Sequence, residues 1–269
     1  MLKEKAISPA EEAADKAIRE TIEALSSSSN FRVEAGAGAG KTYSLIKALK
    51  YLIEEKEFAL QKNNQQIACI TYTEVARDQI RKRIDNNPII FVETIHAFSW
   101  NLIQNFQVEM LQLIPDLNDK WKERLAATPL KQQKVKYSLG YPKITEDEIY
   151  LHHDDVISII TKLFNKNKFQ QIVESKFPII LIDEYQDTNK DMAKALVENF
   201  IQPKAGPLIG LFGDHWQKIY DKKTCGLITA DADKLKVIGK NANFRSDRVI
   251  VEALNKMRPS LPQNVRDPS

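Results

Sequence analysis

The fold is decided by one stretch of sequence, Ala35-Gly36-Ala37-Gly38-Ala39-Gly40-Lys41-Thr42. An apolar run begins at Phe31 before this stretch, and after it the apolar residues between positions 45 and 53 repeat at the period of a helix. A strand, a glycine-rich loop ending in Gly-Lys-Thr and a helix form the phosphate-binding P-loop pattern, with alanine here at the first glycine position. The stretch therefore predicts a nucleotide-binding α/β domain.

The loop itself is predicted to hold the phosphate groups of a nucleotide. Glycines let successive backbone N–H groups turn inward around an anion, and the following helix adds the positive end of its dipole. Lys41 is expected to reach the β- and γ-phosphates, and the Thr42 hydroxyl to bind Mg²⁺. The predicted nucleotide-binding residues are Gly36, Ala37, Gly38, Ala39, Gly40, Lys41 and Thr42. The alternative is a loop of small residues with an incidental lysine.

A second apolar run, Ile179 to Ile182, ends in two carboxylates, Asp183 and Glu184. P-loop enzymes need a carboxylate near the phosphates for Mg²⁺ and a group that orients or deprotonates the attacking water. We predict that Asp183 is the magnesium ligand and that Glu184 is the catalytic base. An acidic turn after a buried strand is common by itself, so the prediction depends on its combination with the P-loop.

Short apolar runs alternate with amphipathic helical segments along most of the chain. The runs at 67–70, 89–92, 179–182 and 208–212 are nearly all apolar, as strands buried on both faces are. This alternation predicts an α/β fold of the P-loop NTPase (RecA-like) type, with a parallel sheet flanked by helices. Residues 107–172 do not follow this alternation of strands and helices and are mostly helical in pattern, which indicates an inserted subdomain.

Several motifs resemble those of superfamily 1 DNA helicases of the UvrD/Rep type. Asp183-Glu184-Tyr185-Gln186-Asp187-Thr188 is similar to the second motif of that family, and residues 35–42 are similar to its P-loop. Further matching motifs stand in the family's order at 70–73, 94–98, 213–220 and 243–246. The resemblance covers about residues 7–257. It implies the N-terminal, first motor domain of an ATP- and Mg²⁺-dependent DNA helicase or translocase, acting on single-stranded or partly duplex DNA.

The resemblance also implies roles for residues outside the phosphate loop. Gln217 would sense the γ-phosphate, Arg245 would contact it from across the cleft, and Phe244 would stack on adenine. The implied DNA-binding residues are Thr71, Tyr72, Thr73, His96 and Tyr220. Aromatic rings stack on bases of any sequence, although a place in the protein core is an equal alternative for each of these rings. The basic run from Arg77 to Arg83 either binds DNA phosphates or is a solvated helix face.

The sequence departs from the family pattern at three places. Glu11 stands where the family has an adenine-reading glutamine, and a carboxylate lacks the donor of an amide. The family's DNA-stacking tryptophan is missing after Tyr220, and Val75 replaces a lysine. The motifs of a second motor domain, which supplies an arginine finger, do not follow. We therefore expect slow ATP hydrolysis unless a second motor domain or a partner chain provides that arginine.

The predicted organisation follows from these motifs. Residues 1–106 and 173–240 would form the discontinuous motor domain, 107–172 the inserted subdomain, and 241–269 the truncated beginning of a second motor domain. The net charge of +3 does not by itself indicate nucleic acid. Two distant cysteines, Cys69 and Cys225, predict a reducing, cytoplasmic location, and no apolar run is long enough for a membrane span.

Two other functions compete with a helicase. One is an ATP-dependent switch or accessory subunit that works with a partner such as a nuclease and does not unwind DNA by itself. The other is an unrelated P-loop enzyme such as a nucleotide kinase. The six-residue stretch 183–188 and Gln217 favour the helicase type over the kinase.

Overall fold

The computed structural model describes residues 7–218 and 223–266, so the predicted DNA-binding residue Tyr220 lies outside the described residues. In chain order the strands are β1 (Phe31–Ala35), β2 (Ile67–Thr71), β3 (Ile90–Thr94), β4 (Lys134–Tyr137), β5 (Lys143–Ile144), β6 (Glu148–Leu151), β7 (Ile179–Asp183), β8 (Leu208–Gly213), β9 (Lys236–Lys240), β10 (Ala242–Asn243) and β11 (Asn264–Val265). The helices are α1 (Pro9–Ser26), α2 (Lys41–Lys62), α3 (Glu74–Arg83), α4 (Ile95–Ile103), α5 (Gln107–Leu113), α6 (Asp119–Ala127), α7 (His153–Phe164), α8 (Asn167–Lys176), α9 (Lys190–Leu196) and α10 (Arg248–Met257).

The central sheet has six strands in the order β3-β2-β7-β8-β1-β9, and all of its pairs are parallel. Every residue of β1, β2, β7 and β8 is buried, which explains the nearly continuous apolar sequences of β2, β7 and β8. β1 also buries Arg32 and Glu34, which pair with each other at 2.7 Å. The predicted parallel α/β fold is confirmed. The edge strand β9 was not predicted, because its lysines and glycine conceal a short pattern of alternating exposed and buried residues.

The sheet separates two hydrophobic layers. Ile180 and Ile182 belong to the layer that contains α4 to α9, whereas Ile179 and Leu181 belong to the layer formed with α1, α2 and α3. This division follows from the two-residue period of a strand, which sends successive side chains to opposite faces. Both faces are therefore covered by helices, as in other parallel sheets.

The segment from 107 to 172 is mostly helical, as predicted, and also contains a small sheet in the order β4-β6-β5. In this small sheet β4 pairs with β6 in parallel, and β5 pairs with β6 antiparallel. The buried side chains of Trp121 and Ile149 share one hydrophobic layer with Ile180 and Ile182 of the central sheet. The inserted segment thus packs directly on the central domain, while its exact boundaries stay a prediction.

None of the helices within the two described ranges is both long enough and apolar enough to cross a membrane. The longest of the described helices, α2, has 22 residues and carries charged residues along its length.

Asp155 connects the start of α7 to α6. Its carboxylate accepts hydrogen bonds from the backbone N–H of His152 at 2.9 Å and from the buried Trp121 indole N–H at 2.8 Å. Asp155→Ala should lower the free energy of unfolding by about 2–4 kcal/mol, because it removes a helix cap and leaves the indole donor unpaired. Asp154→Ala, at the exposed neighbour that pairs with Lys223, should cost less than about 1 kcal/mol. Urea unfolding measures both, and equal losses would contradict the role of Asp155.

Candidate nucleotide-binding site and DNA-facing surface

The P-loop connects β1 to α2, and its backbone requires glycine at two positions. Gly38 and Gly40 have φ angles of 76° and 78°, in the left-handed region that side chains rarely tolerate. A Cβ atom on Gly38 would also lie 2.7 Å from Oδ1 of Asn243. The N–H of Ala39 donates to the Gly36 carbonyl at 3.1 Å and tightens the turn. Lys41 and the half-buried Thr42 are the first two residues of α2.

The C-terminal segment passes directly against this loop. The Ala37 carbonyl accepts hydrogen bonds from the side-chain amides of Asn243 at 3.0 Å and Gln263 at 3.1 Å. The Phe244 N–H donates to the Gly38 carbonyl at 3.0 Å. These contacts place Phe244 and Arg245 beside the loop. The sequence did not indicate Gln263, which lies twenty residues after its partner Asn243.

The two predicted acidic residues stand beside Lys41. Its ammonium lies 3.4 Å from Oε2 of Glu184, which also accepts a hydrogen bond from the Gln186 amide at 2.7 Å. Asp183 is buried at the carboxyl end of β7. Burial, reinforced by the negative charge of Glu184 and opposed by Lys41, raises the pKa of Asp183 to about 7.

Asp183 fits the chemistry of a cation ligand. Its Oδ1 atom is buried and has no hydrogen-bond partner among the described residues. A buried carboxylate oxygen in this position is costly unless a positive group neutralises it. Hard divalent cations such as Mg²⁺ prefer carboxylate and hydroxyl oxygens, so the Asp183 carboxylate and the Thr42 hydroxyl are suitable donors.

A hydrogen-bonded chain connects the predicted γ-phosphate sensor to the predicted base. The Gln217 amide donates to Oδ2 of Asp214 at 2.6 Å, and the Asp214 N–H donates to Oε1 of Gln186 at 3.1 Å. Gln186 in turn donates to Glu184. Arg258 also binds Oδ2 of the fully buried Asp214, at 3.0 Å. The sequence did not single out Asp214 or Arg258 as site residues, although Asp214 follows β8 as Asp183 ends β7.

A cavity of about 560 Å³ lies beside the end of the P-loop. It is lined by Ile7, Glu11, Ala14, Asp15, Gly40, Tyr43, Lys240 and Phe244. Tyr43 and Phe244 are 53% and 40% exposed, so their rings are accessible to a ligand. Phe244, for which stacking on adenine is predicted, is thus part of the cavity wall. Lys240 was not predicted, because it lies on the edge strand that the sequence pattern concealed.

Of the predicted DNA-binding residues, Thr71, Tyr72 and Thr73 lie together at the end of β2, and each makes a hydrogen bond within the protein. The Thr71 hydroxyl donates to the Thr73 carbonyl at 3.2 Å, and the Thr73 hydroxyl accepts from the Ala76 N–H and caps α3. The half-buried Tyr72 packs against the hydrophobic layer, and its hydroxyl donates to Thr188 at 2.5 Å. Tyr72 therefore has features of both alternatives, a surface ring and a core ring.

His96 belongs to an aromatic cluster at the start of α4. Its ring centroid lies 4.3 Å from that of His153, and Nδ1 of His153 is hydrogen-bonded to the Tyr137 hydroxyl. The Tyr137 ring also contacts Trp100, with centroids 5.9 Å apart. Burial, reinforced by the charge of His153, lowers the pKa of His96 to about 4. The imidazole is thus neutral near pH 7.

The basic run on α3 is partly neutralised. Arg81 binds Glu93 at 2.7 Å and the Val92 carbonyl at 2.8 Å. Arg77 pairs with Asp78 at 2.9 Å and lies 3.6 Å from Glu93. These two arginines therefore have acidic partners within the protein, which favours the solvated helix face over phosphate binding for them.

Residues 18–223 match the AAA_19 family, which is described as an AAA domain. The chain belongs to this family. It is similar to the Gabija protein GajB of Bacillus cereus, with 28% identity over 90% of this chain and 49% of that protein. The ATP-dependent DNA helicase Rep of Buchnera aphidicola is 28% identical over 83% of this chain and 42% of that protein. The ATP-dependent DNA helicase PcrA of Staphylococcus aureus is 24% identical over 84% and 37%.

The predicted resemblance to superfamily 1 helicases of the UvrD/Rep type is thereby confirmed. The AAA_19 match includes the P-loop, the acidic strand end and Gln217. The chain spans less than half the length of each of these curated relatives.

The neutral His96 in this AAA_19 chain should make stability depend on pH. Its pKa is lowered to about 4 in the folded protein and is near 6.5 in the unfolded chain, so protonation favours unfolding. The contribution of His96 is fully present above pH 6.5 and is lost as the pH falls toward 4. Between pH 7 and pH 5 the melting temperature of His96→Gln should therefore fall less than that of the original protein. Identical losses, measured by calorimetry, would refute the assignment.

Proposed function

We propose that this chain is the ATP-binding and ATP-hydrolysing motor domain of a DNA helicase or translocase that acts on single-stranded or partly duplex DNA. One observation carries the proposal: the contact of 3.4 Å between Lys41 and Glu184 next to the buried Asp183. A lysine, a candidate catalytic base and a candidate cation ligand thus lie together at the end of the P-loop. Family membership supports the use of a nucleotide, and we assign ATP and Mg²⁺ as substrate and cofactor.

Each residue has a separate task in this proposal. The N–H groups of residues 36–42 and the ammonium of Lys41 bind the phosphates. Glu184 orients the attacking water and accepts its proton, and the hydrogen bond from Gln186 holds the carboxylate in place. Arg245 supplies positive charge near the γ-phosphate, and Phe244 stacks on the base. Mg²⁺, held by Thr42 and Asp183, would neutralise charge on the phosphates.

Gln217 is proposed as the group that transmits the state of the γ-phosphate. Its amide is hydrogen-bonded to Asp214, which connects through Gln186 to Glu184. A change in the position of Gln217 would therefore reach the catalytic carboxylate and Arg258, which is bound to the same Asp214 carboxylate. This coupling supports a motor more directly than it supports a simple nucleotide-binding protein.

DNA is the proposed partner, with Thr71, Tyr72, Thr73, His96 and Tyr220 along its path. Two relatives are named ATP-dependent DNA helicases, which supports this substrate class. The partly exposed ring of His96 supports base stacking, which is worth about 1–3 kcal/mol per base. The position of Tyr220 remains a sequence-based prediction. We also retain the predicted cytoplasmic location, which agrees with the free cysteines Cys69 and Cys225.

The proposed domain organisation keeps 1–106 and 173–240 as the motor domain, 107–172 as the insertion and 241–269 as the beginning of a second motor domain. β10 and β11 pair in parallel with α10 between them, which is the repeating unit of another parallel sheet. α10 exposes Val249 and Met257, at 75% and 65%, as expected of a helix that packs on further structure. A second motor domain or partner chain would supply the arginine finger, and this chain alone would hydrolyse ATP weakly.

A second candidate is an ATP-dependent switch or accessory subunit that works with a partner such as a nuclease and does not unwind DNA. The hydrogen bonds that Tyr72 and Thr73 make within the protein and the neutralised arginines of α3 favour it, because they reduce the surface available to DNA. Stimulation of ATP hydrolysis by DNA distinguishes the two candidates.

Substitutions at the phosphate loop test the nucleotide site. Lys41→Ala should abolish most ATP binding, because it removes the cation from the phosphates. Glu184→Gln should retain binding and lower turnover by about 10²-fold or more, since the amide cannot accept the proton of water. ATP affinity is measured by calorimetry and turnover by phosphate release. Lys50→Ala, at an exposed position on the same helix α2, is the matched control. Normal turnover by Glu184→Gln would disprove the assignment of the base.

His96→Ala tests the DNA-facing surface. Single-stranded DNA should stimulate ATP hydrolysis by the original chain, and the substitution should reduce DNA affinity about 5- to 100-fold through the loss of one stacked ring. ATP affinity without DNA should stay the same, because His96 lies outside the phosphate site. Fluorescence anisotropy with labelled DNA at fixed salt gives the affinity. Unchanged DNA affinity in the variant would remove His96 from the path, and absence of any DNA binding by the original chain would favour the accessory-subunit alternative.

A further inference from the structure

The strand that leads into the P-loop carries a buried pair of opposite charges. Arg32 and Glu34 on β1 are both less than a tenth exposed, and the Arg32 guanidinium lies 2.7 Å from the Glu34 carboxylate. The neighbouring strand β8 consists of apolar residues and glycines alone. Removing two charges from water costs free energy that their attraction does not always return, so a buried pair is weak evidence of a role in stability. The contacts that the pair makes with other elements therefore indicate what it does.

Glu34 is in contact with both of the loops that follow β7 and β8. The hydroxyl of the fully buried Tyr185 donates to Oε1 of Glu34, and Nδ1 of His215 lies 3.1 Å from Oε2. An ionised carboxylate only accepts hydrogen bonds, so Nδ1 of His215 is the donor. Tyr185 directly follows the proposed base Glu184, and His215 stands two residues before Gln217. One side chain of β1 is thus bonded to the acidic loop and to the turn that carries the proposed γ-phosphate sensor.

Arg32 holds the same segment of chain at a second place. Its guanidinium donates to the carbonyl of Ile228. Gln217 lies between His215 and Ile228 in sequence, so the chain on both sides of Gln217 is bound to the charged pair on β1. His215 and Gln217 also belong to one short 3-10 helix, so a shift of one moves the other. The Arg32–Glu34 pair therefore connects the turn with Gln217 to the strand that enters the P-loop.

We propose that Arg32, Glu34 and His215 are positioning residues for ATP hydrolysis, which hold Gln217 at the place beside the phosphate loop from which it acts. Arg32 fixes the Glu34 carboxylate, and Glu34 fixes the imidazole of His215. The inference rests on the proposed function, since these residues act through the proposed sensor.

The bond between His215 and Glu34 supplies a constraint that the sheet does not. Pairing of β1 with β8 aligns Glu34 with Gly213, where β8 ends. The turn that follows lies outside this register. The Gln217 amide is bonded to Asp214 at 2.6 Å, which fixes the amide within the turn but not the turn relative to β1. The contact of His215 with Glu34 fixes the turn itself.

A purely structural role for the pair gives a different expectation. If the bond to His215 only stabilised the fold, its loss would lower stability and weaken ATP binding and hydrolysis together. If it positions Gln217, its loss slows hydrolysis and leaves ATP affinity unchanged, because Lys41 and the P-loop still bind the phosphates. Leucine and asparagine at position 215 separate the hydrogen bond from the shape of the side chain. Both branch at the γ carbon, and only asparagine has an N–H donor at the δ position, where histidine has Nδ1.

The test measures kcat of the full chain by phosphate release at saturating ATP, and ATP affinity by calorimetry. His215→Leu should lower kcat about 10-fold or more through misplacement of Gln217, and should change ATP affinity by less than about twofold. His215→Asn should keep most of the original kcat. Gln217→Ala should also lower kcat, and the double variant with His215→Leu should be no slower than Gln217→Ala alone, because His215 acts only through Gln217. Trp216→Phe, at the exposed neighbour in the same turn, is the matched control and should keep the original kcat.

Three outcomes would overturn the inference: an original kcat in His215→Leu, equal losses of kcat in His215→Leu and His215→Asn, or losses that multiply in the double variant. The His215 side chain is 29% exposed, so these replacements should leave the fold intact, and the melting temperature verifies this. His215→Ala gives the same comparison should His215→Leu not fold. Hydrolysis that persists in Lys41→Ala would instead contradict the proposed function, whereas hydrolysis that depends on Lys41 but not on His215 would overturn only this inference.

Discussion

The parallel pairing of β1, β7 and β8 is the constraint on which the site depends. Parallel strands place all of their carboxyl ends at one edge of the sheet, and the register aligns Glu34 with Gly213 and Asp183 with Phe212. The P-loop, the acidic pair and the segment that contains Gln217 each begin where one of these strands ends. Three loops that are far apart in sequence therefore meet, as expected at the carboxyl edge of an open α/β sheet.

The meeting of these loops is stabilised by amides as well as by charges. Gln186 uses its donor on Glu184 and its acceptor on the backbone of Asp214, so a single side chain holds two loops at a fixed separation. Asn243 and Gln263 act in the same way on the other side of the P-loop, through the Ala37 carbonyl. Amides suit this work because each has both donors and acceptors. The phosphate loop is thus tied to the C-terminal segment, and the acidic loop to the loop that follows β8.

Buried charge is concentrated around the same loop. Asp183 carries a carboxylate oxygen without a partner among the described residues, and Lys240 is a completely buried lysine on the opposite side of the loop. Burial raises the pKa of Asp183 to about 7 and lowers that of Lys240 to about 8. In both cases the charged form is disfavoured because it is removed from water. Such groups are retained where a ligand compensates the penalty, and perturbed pKa values are accordingly common at functional sites.

The sequence by itself determined the sheet, the phosphate loop and the acidic strand end, because these are local patterns: continuous apolar runs, glycines before a lysine, and carboxylates directly after a strand. Only the tertiary structure decided which distant groups complete the site. Asp214, Arg258, Gln263 and Lys240 come from different elements, and their contacts depend on strand order and on the path of the C-terminal segment. The sequence pattern did not reveal β9, because this edge strand buries only alternate residues. Lys240, which lies on β9, was missed for the same reason. The capping of α1 by Ser8 and Glu11, in contrast, is a contact between residues three apart, and its pattern stands in the sequence.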